Sequence, residues 1–240
     1  MQIRAFEIAS RRCEAYGEEA PQFLLIQPEG EREESPGKQA KTILSLSDAR
    51  FLHISVRMTD WNRGLSPWTA APVFGGEHFG DGAADTLMFI ENDLLPFVRT
   101  AFDVGPDVPA VLGGYSLAAF FALWCAYQTD TFSAVAAASP SVWFPGWMEY
   151  AREHRPAAAC FYLSLGDREE KTRNRTLATV GNCIKEQYRI LEESGVRSTL
   201  EWNPGSHFAE PELRCAKGFV WCMSALRKRT DGDNGNNLSR

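Results

Sequence analysis

The chain has 240 residues, with 25 lysines and arginines against 31 aspartates and glutamates, and a net charge of −6. This length fits one domain, which can bury a core without a metal or a disulfide. The acidic balance argues against a protein that binds nucleic acid through a basic face. We expect a single globular domain over residues 1–226 and a disordered polar tail over residues 227–240.

The first 20 residues show no apolar run after their arginines, unlike a secretory signal peptide. The longest nearly apolar run, residues 111–127, is too short for a membrane-spanning helix. The six cysteines are widely spaced and form no C-x-x-C pair, which indicates reduced thiols. We therefore expect a cytoplasmic protein that is not inserted in a membrane.

The first part of the chain contains two predicted strands. A short apolar run predicts a strand over residues 23–26, closed by a turn at residues 27–30. The charged residues 31–41 predict a solvated loop, and residues 51–56 predict a buried strand. Residues 57–82 then form a long loop rich in Trp, Phe, Gly and Pro, and loops of this length are usually functional or disordered. Its aromatic content argues against disorder.

Strands and helices alternate in the middle of the chain. Helical spacing of apolar residues predicts a helix over residues 83–101, kinked at its proline. A strand over residues 108–112 leads to a very apolar helix over residues 117–127. A strand of small residues, 134–138, runs into a second aromatic loop, residues 139–147.

The same alternation continues to the end of the chain. We predict a strand over residues 160–165, a helix over 173–194, a strand over 198–202 and a helix over 210–227. Strands that alternate with helices indicate an α/β fold, with a mostly parallel central sheet covered by helices on both faces. Ligands of such folds bind at the carboxyl ends of the strands.

One strand-end loop carries a candidate nucleophile. Residues 114–118 read Gly-Tyr-Ser-Leu-Ala, which is the G-x-S-x-G nucleophile elbow with Ala at its last position. Small residues on either side of Ser116 allow a sharp turn between strand and helix, and the helix N-terminus offers N–H groups to an oxyanion. The alternative is a tight turn that carries an inert serine.

A serine nucleophile needs a base, and His207 is the best candidate among four histidines. In this arrangement the acid and then the histidine follow the serine along the chain. His53 and His78 precede Ser116, and His154 stands among charged residues typical of a solvated helix. His207 follows the last predicted strand, where a loop can bring its imidazole to Ser116.

The acid should follow the strand predicted over residues 160–165. Asp167, Glu169 and Glu170 all lie there. A turn that begins at Gly166 needs two or three residues to redirect a side chain, which favours Glu169, with Asp167 as the second choice and Glu170 as the last. A serine–histidine pair without an acid is the alternative.

An oxyanion hole needs two N–H donors. The first should be the backbone N–H of Leu117, directly after the nucleophile. We assign the second to the loop after the predicted strand 51–56 and take Met58 as its donor. The chain contains no HGGG motif that would identify this donor more directly.

Four segments, residues 112–118, 138–143, 165–169 and 205–208, together resemble the putative esterase branch of the α/β-hydrolases. That branch includes enterochelin-type siderophore esterases, feruloyl esterases, S-formylglutathione hydrolases and mycolyltransferases. The resemblance extends over about residues 51–226. It implies the α/β-hydrolase fold and hydrolysis of small carboxylic esters through an acyl-enzyme, without metal or cofactor.

The resemblance also implies residue roles: nucleophile for Ser116, base for His207 and acid for Glu169. The chain departs from the family in two ways. Its acid is Glu rather than Asp. Its N-terminal part is short, so we expect the first strands of the family to be missing or rearranged.

Aromatic residues in the strand-end loops predict the character of the substrate. Trp61, Tyr115 and Trp143 should line a site for an apolar or aromatic group, and Arg57 could bind a carboxylate. Alternatively, some of these rings seal loops onto the sheet. Two other functions stay open, an acyltransferase with the same acyl-enzyme and a non-catalytic binding module. The sequence does not indicate an oligomeric state.

Overall fold

The structure is a computed structural model that describes residues 2–18, 20–30, 36–73 and 76–236. Eight strands form one sheet: β1 (Gln2–Ile8), β2 (Arg11–Gly17), β3 (Phe23–Gly30), β4 (Phe51–Met58), β5 (Ala110–Tyr115), β6 (Ala134–Ala138), β7 (Cys160–Gly166) and β8 (Arg197–Asn203). Their order is β1-β2-β4-β3-β5-β6-β7-β8. Strands β3 to β8 are parallel, whereas β2 is antiparallel to both β1 and β4.

The helices cover both faces of the sheet: α1 (Pro36–Leu46), α2 (Trp61–Gly64), α3 (Ala83–Phe89), α4 (Leu95–Ala101), α5 (Leu117–Cys125), α6 (Trp147–Glu153), α7 (Val180–Glu193) and α8 (Pro211–Asn236). Buried side chains alternate along β3. Leu24 and Ile26 pack with α3 to α7, while Phe23 and Leu25 pack with α1 and α8. This arrangement confirms the predicted fold class.

The N-terminal strands were expected to be missing or rearranged, and this expectation is wrong. β1 and β2 form an antiparallel hairpin that joins the sheet beside β4. The sequence signal for these strands is weak because charged residues interrupt them. In β2, Cys13 and Ala15 are buried, whereas Arg11, Arg12 and Glu14 are partly or fully exposed.

Residues 27–30 were predicted as a turn, but β3 continues to Gly30. The backbone nitrogen of Leu24 faces β5, where it donates to the carbonyl of Pro109. The period of a strand places the nitrogen of Pro28 on the same edge. Pairing with β5 ends at Ile26, before Pro28. No carbonyl of β5 therefore depends on the N–H that proline lacks, and the strand tolerates the proline.

The predicted loop over residues 31–41 is also wrong in part. Residues 36–46 form α1, while residues 31–35 lie outside the described residues. Proline is favoured in the first turn of a helix because its missing N–H has no intrahelical partner there. Ala40 and Ile43 of α1 are fully buried against the sheet and α8, which explains why the segment is helical despite its charges.

The helix predicted over residues 83–101 is present. Where a kink at the proline was predicted, the helix contains a wider, π-helical turn. The π-helical segment Ile90–Leu94 joins α3 to α4 just before Pro96. A proline ring clashes with the carbonyl four residues earlier, and a wider turn relieves that clash.

The last helix extends beyond its predicted end. α8 continues to Asn236, so residues 227–236, which we expected to be disordered, are helical. Arg227 anchors this part of α8, because its guanidinium donates to Oε1 of Gln22 at 2.7 Å and lies 5.6 Å from the ring of Phe23. Helices propagate at one hydrogen bond per residue once a packed segment has nucleated them. Among the described residues, no helix is both long and apolar enough to cross a bilayer.

The carboxyl ends of the four consecutive strands β5 to β8 lie at one edge of the sheet. Ser116 follows β5, Ser139 follows β6, Glu169 follows β7 by a short turn, and His207 follows β8. The topology therefore brings polar side chains from distant parts of the sequence to one place.

Candidate active site

Ser116 lies on a strained turn between β5 and α5. Its backbone has φ 57° and ψ −116°, a conformation that costs a non-glycine residue about 1–3 kcal/mol. Neighbouring small residues make the turn possible. A Cβ on Gly114 would lie 2.7 Å from the Cβ of Ala118, so the alanine at the last motif position leaves room only for glycine at the first.

His207 connects Ser116 to a carboxylate. Nε2 of His207 lies 3.0 Å from Oγ of Ser116, and Nδ1 lies 2.7 Å from Oε2 of Glu169. An ionised carboxylate can only accept hydrogen bonds, so Nδ1 carries the proton. Nε2 is then the acceptor for the Ser116 hydroxyl, which is the tautomer that a general base requires.

The carboxylate of Glu169 is buried, with 3% of its side chain exposed, and both of its oxygens accept hydrogen bonds. While Oε2 accepts from His207, Oε1 accepts from Oγ of Ser139 at 2.7 Å, from the N–H of Gly166 at 2.7 Å and from Nη1 of Arg214 at 2.8 Å. Burial alone would raise the pKa of Glu169. Hydrogen bonds from His207, Ser139 and Gly166 outweigh it, so the pKa lies below its ordinary value and the group is ionised at neutral pH.

The other two acid candidates point elsewhere. Oδ1 of Asp167 accepts the N–H of Gly205 at 2.8 Å, and 58% of the Asp167 side chain is exposed. The carboxylate of Glu170 lies against Gly181 at the start of α7. The turn through Gly166, in which the N–H of Glu169 donates to the Gly166 carbonyl, directs Glu169 toward the histidine.

A cavity of about 400 Å³ opens in front of Ser116 and His207. Trp143, Leu177 and Val180 supply apolar walls, and Arg168 and Lys171 supply positive charge. Phe208 also lines the cavity although 87% of it is exposed, an unusual exposure for a large apolar side chain. The cavity could therefore hold an apolar or aromatic group with an anionic substituent.

The structure places the other predicted substrate residues differently. Trp143 lines the cavity, whereas Trp61 packs against the apolar core. Tyr115 stands beside the site: its ring centroid lies 5.1 Å from that of His207, and its hydroxyl donates to the His207 carbonyl. Arg57 lines a separate cavity of about 150 Å³, with Glu14 and Glu29 within 4 Å of its guanidinium.

The two predicted oxyanion donors also differ in position. Leu117 is the first residue of α5, where N–H groups have no intrahelical acceptor. Met58 ends β4 and lines the same separate cavity as Arg57. β3 lies between β4 and β5, so the segment after β3 is nearer in the sheet to the elbow than the segment after β4. Residues 31–35 of that segment lie outside the described residues.

Sequence reasoning gave no role to several residues of the site, among them Ser139, Arg214 and Phe208. Ser139 directly follows β6, and this strand-end position is a usable signal. Phe208 adjoins the histidine in the sequence. Arg214 lies within α8, where the sequence provides no sign that it reaches the acid. In the part of the chain that the structure describes, no group of three or more His, Cys, Asp or Glu side chains is placed to hold a metal ion.

The chain also matches a known family of proteins. The family model described as "Putative esterase" matches residues 62–199, which is more than half of the chain. The chain belongs to the Putative esterase family. A search of curated protein sequences finds no significant match.

Solved structures with the same fold include several esterases. The siderophore hydrolase EstA from Aspergillus nidulans is 19% identical with a TM-score of 0.70, over 93% of this chain and 94% of that chain. The IroE-like serine hydrolase from Shewanella oneidensis is 16% identical with a TM-score of 0.75, over 91% and 79%. The enterobactin esterase FES from Shigella flexneri is 17% identical with a TM-score of 0.67, over 94% of this chain and 59% of that chain.

These similarities show the α/β-hydrolase fold, and the family match identifies the protein as a carboxylic-ester hydrolase. The sequence-based family and fold predictions are thereby confirmed.

Proposed function

We propose that this esterase cleaves its substrate through an acyl-enzyme formed on Ser116, with His207 as general base and Glu169 as the acid that orients it. The observation that carries the proposal is the chain of hydrogen bonds from Oγ of Ser116 through both ring nitrogens of His207 to Glu169. Such a chain activates a hydroxyl that is otherwise a weak nucleophile at neutral pH.

The proposed reaction has two halves. Nε2 of His207 takes the Ser116 proton as Oγ attacks the ester carbonyl, and then protonates the leaving alcohol as the ester C–O bond breaks. In the second half, the same nitrogen takes a proton from a water molecule as that water attacks the acyl carbonyl. The bond from the acyl carbon to Oγ then breaks, Nε2 returns the proton to Oγ of Ser116, and the carboxylic acid leaves. Glu169 stays ionised and stabilises the imidazolium that forms in each half.

The developing oxyanion needs donors on the other side of the carbonyl. We assign one of them to the N–H of Leu117, since it follows the nucleophile at the N-terminus of α5. The second donor is left unassigned because Met58, our sequence-based choice, lines a different cavity.

The proposed substrate is an ester with an apolar or aromatic group that packs on Trp143 and Phe208. Arg168 and Lys171 at the cavity would favour an anionic substituent on it. Two proteins with similar structures are named as a siderophore hydrolase and a ferulic acid esterase, so esters of these kinds belong in the first substrate panel.

The test compares wild type with Ser116→Ala on p-nitrophenyl acetate, butyrate and octanoate and on methyl ferulate. We expect turnover by wild type and a loss of at least about 10³-fold in Ser116→Ala. A folded wild type that hydrolyses none of these esters, or a Ser116→Ala variant that retains turnover, would contradict the proposal. Added alcohols that raise consumption of the acyl donor above the rate of acid release would instead identify an acyltransferase.

We also propose that the protein works in the reducing cytosol. No disulfide joins the six cysteines, all of which lie among the described residues, and five of them are buried. Thiols of this kind persist where glutathione and thioredoxin keep them reduced. Fractionation of cells that express the tagged chain tests this, and recovery outside the cytosol would contradict it.

A further inference from the structure

We propose that Arg214 is a positioning residue of the catalytic site. It holds the carboxylate of Glu169 and the loop that carries His207 at a fixed distance from each other. This inference rests on the proposed function, since it concerns the same Ser116, His207 and Glu169. Arg214 lies on α8, with 1% of the residue exposed, and it does not line the cavity in front of Ser116. It therefore acts through other residues rather than on the substrate.

The two ends of the guanidinium bond to different parts of the site. Nη1 donates to Oε1 of Glu169 at 2.8 Å and to Oγ of Ser139 at 3.1 Å. Nη2 donates to the carbonyl of Pro204 at 3.0 Å and to the carbonyl of Ser206 at 3.1 Å. One rigid, planar group thus connects the acid after β7 to the loop after β8.

The position of these carbonyls matters for His207. Ser206 directly precedes His207, so the Nη2 bond holds the backbone from which the imidazole projects. The Nη1 bond holds the carboxylate that the same imidazole must meet at 2.7 Å. The fixed geometry of the guanidinium therefore sets the separation between the acid and the base.

Tyr115 adds a second connection. Nη1 of Arg214 donates to the Tyr115 hydroxyl at 3.1 Å, and this hydroxyl donates to the carbonyl of His207 at 2.6 Å. Tyr115 directly precedes Ser116, so the pair joins the strand that carries the nucleophile to the loop that carries the base. Tyr115, which was predicted to bind substrate, is not among the residues that line the cavity in front of Ser116.

Arg214 also sets the charge of the site. Its guanidinium forms a buried ion pair with Glu169, whose side chains are 2% and 3% exposed. Removal of this positive charge would leave the Glu169 carboxylate buried without its cationic partner. The bond by which this carboxylate holds the His207 imidazole should then be disturbed.

The experiment compares Arg214→Lys, Arg214→Met and Tyr115→Phe with wild type. We expect kcat to fall roughly 10- to 100-fold in both Arg214 variants, with KM changed less than about twofold, because misplaced catalytic groups slow the chemical step more than binding. Arg214→Lys keeps the charge but loses the planar fork of donors, so it should retain more of kcat than Arg214→Met. Tyr115→Phe, which loses one hydroxyl, should lower kcat by about 3- to 10-fold.

Arg197→Met is the matched control. Arg197 lies on β8, is exposed and donates to the α8 carbonyl of Ala225 at 3.1 Å, away from the cavity in front of Ser116. Arg197→Met should retain the kcat and the KM of wild type. Circular dichroism and thermal unfolding show which variants are folded, because removal of one partner of a buried ion pair is strongly destabilising.

If Arg214→Met does not fold, the kinetics of Arg214→Lys and Tyr115→Phe test the inference instead. Folded Arg214→Lys and Tyr115→Phe proteins with the kcat of wild type would overturn the inference. An increase in KM alone would also overturn it, since that indicates a role in binding. Failure of the proposed function looks different: wild type would then show no Ser116-dependent turnover in which these variants could be compared.

Discussion

Oε2 of Glu169 lies 2.7 Å from Nδ1 of His207, although the two residues are 38 positions apart in the sequence. Asp167 also bonds to the loop that carries His207, but at the backbone N–H of Gly205. Two neighbouring carboxylates therefore have different partners: that of Glu169 bonds to the imidazole, and that of Asp167 bonds to the turn before it.

This difference predicts opposite results for two amide variants. Glu169→Gln should lower kcat by roughly 10²- to 10⁴-fold, because an amide cannot stabilise the imidazolium as a carboxylate does. Asp167→Asn should stay within about threefold of wild type, because an amide oxygen still accepts from Gly205. Steady-state kinetics on one p-nitrophenyl ester measures both. Equal losses in the two variants would contradict the assignment of the acid.

The elbow predicts a compensating pair of substitutions. Gly114→Ala places a methyl group 2.7 Å from the Cβ of Ala118 and should destabilise the protein by about 1–3 kcal/mol. Ala118→Gly in the same chain removes that contact and should recover part of the loss. Urea unfolding of the two single variants and the double variant gives the coupling free energy. Strict additivity would show that the close approach of strand and helix is not the cause.

The apolar wall of the cavity predicts that its removal weakens binding of large acyl groups more than binding of small ones. Trp143→Ala and Phe208→Ala should raise KM for octanoyl and feruloyl esters by about tenfold or more, since each removes a large apolar contact surface. The acetyl ester is too small to lose this contact and should change less than about threefold. Leu46→Ala, an exposed apolar residue on α1, is the control. Equal changes in KM for short and long esters would contradict the proposal that Trp143 and Phe208 bind the acyl group.

His53 predicts a pH dependence of stability. It is fully buried, and burial lowers its pKa to about 3 from an ordinary value of 6.5. Between these values the unfolded chain binds a proton that the folded chain does not, so stability should fall as the pH drops below about 6.5. The slope contributed by one group is at most about 1.4 kcal/mol per pH unit.

The measurement compares wild type with His53→Gln in urea unfolding from pH 7.5 to pH 5. Glutamine can still bond to Gln27, the partner of His53 Nε2, but does not titrate. The stability difference between the two proteins should therefore change with pH in favour of the variant as the pH falls. Parallel stability curves would show that His53 does not titrate as its burial implies.

The parallel half of the fold was predictable because its strands are continuous apolar runs. All five residues of β6, for example, are small and buried, and its bounds agree with the prediction. The N-terminal hairpin was not predictable in the same way. The hairpin lies at one end of the sheet, and charged residues interrupt the apolar residues along its strands. Its apolar signal in the sequence is therefore weak.

In the candidate site, Ser116 and His207 were predictable from local patterns and chain order, because a sharp turn and a strand-end loop are properties of short segments. Arg214 was not, since its bonds to Glu169 and Ser139 span 45 and 75 positions of sequence. Met58 was predicted as a donor from its place after the strand predicted over residues 51–56. The observed order places β3 between β4 and β5, and strand order is a long-range property that local sequence patterns do not indicate.

The central claim is that Ser116 is a nucleophile activated by His207. The most direct measurement is covalent labelling by a fluorophosphonate probe, followed by intact mass and peptide mapping. We expect wild type to gain one adduct, mapped to Ser116, and we expect no adduct in Ser116→Ala and labelling slowed by more than about 10²-fold in His207→Ala. An unlabelled, folded wild type, or an adduct on another residue, would contradict the account.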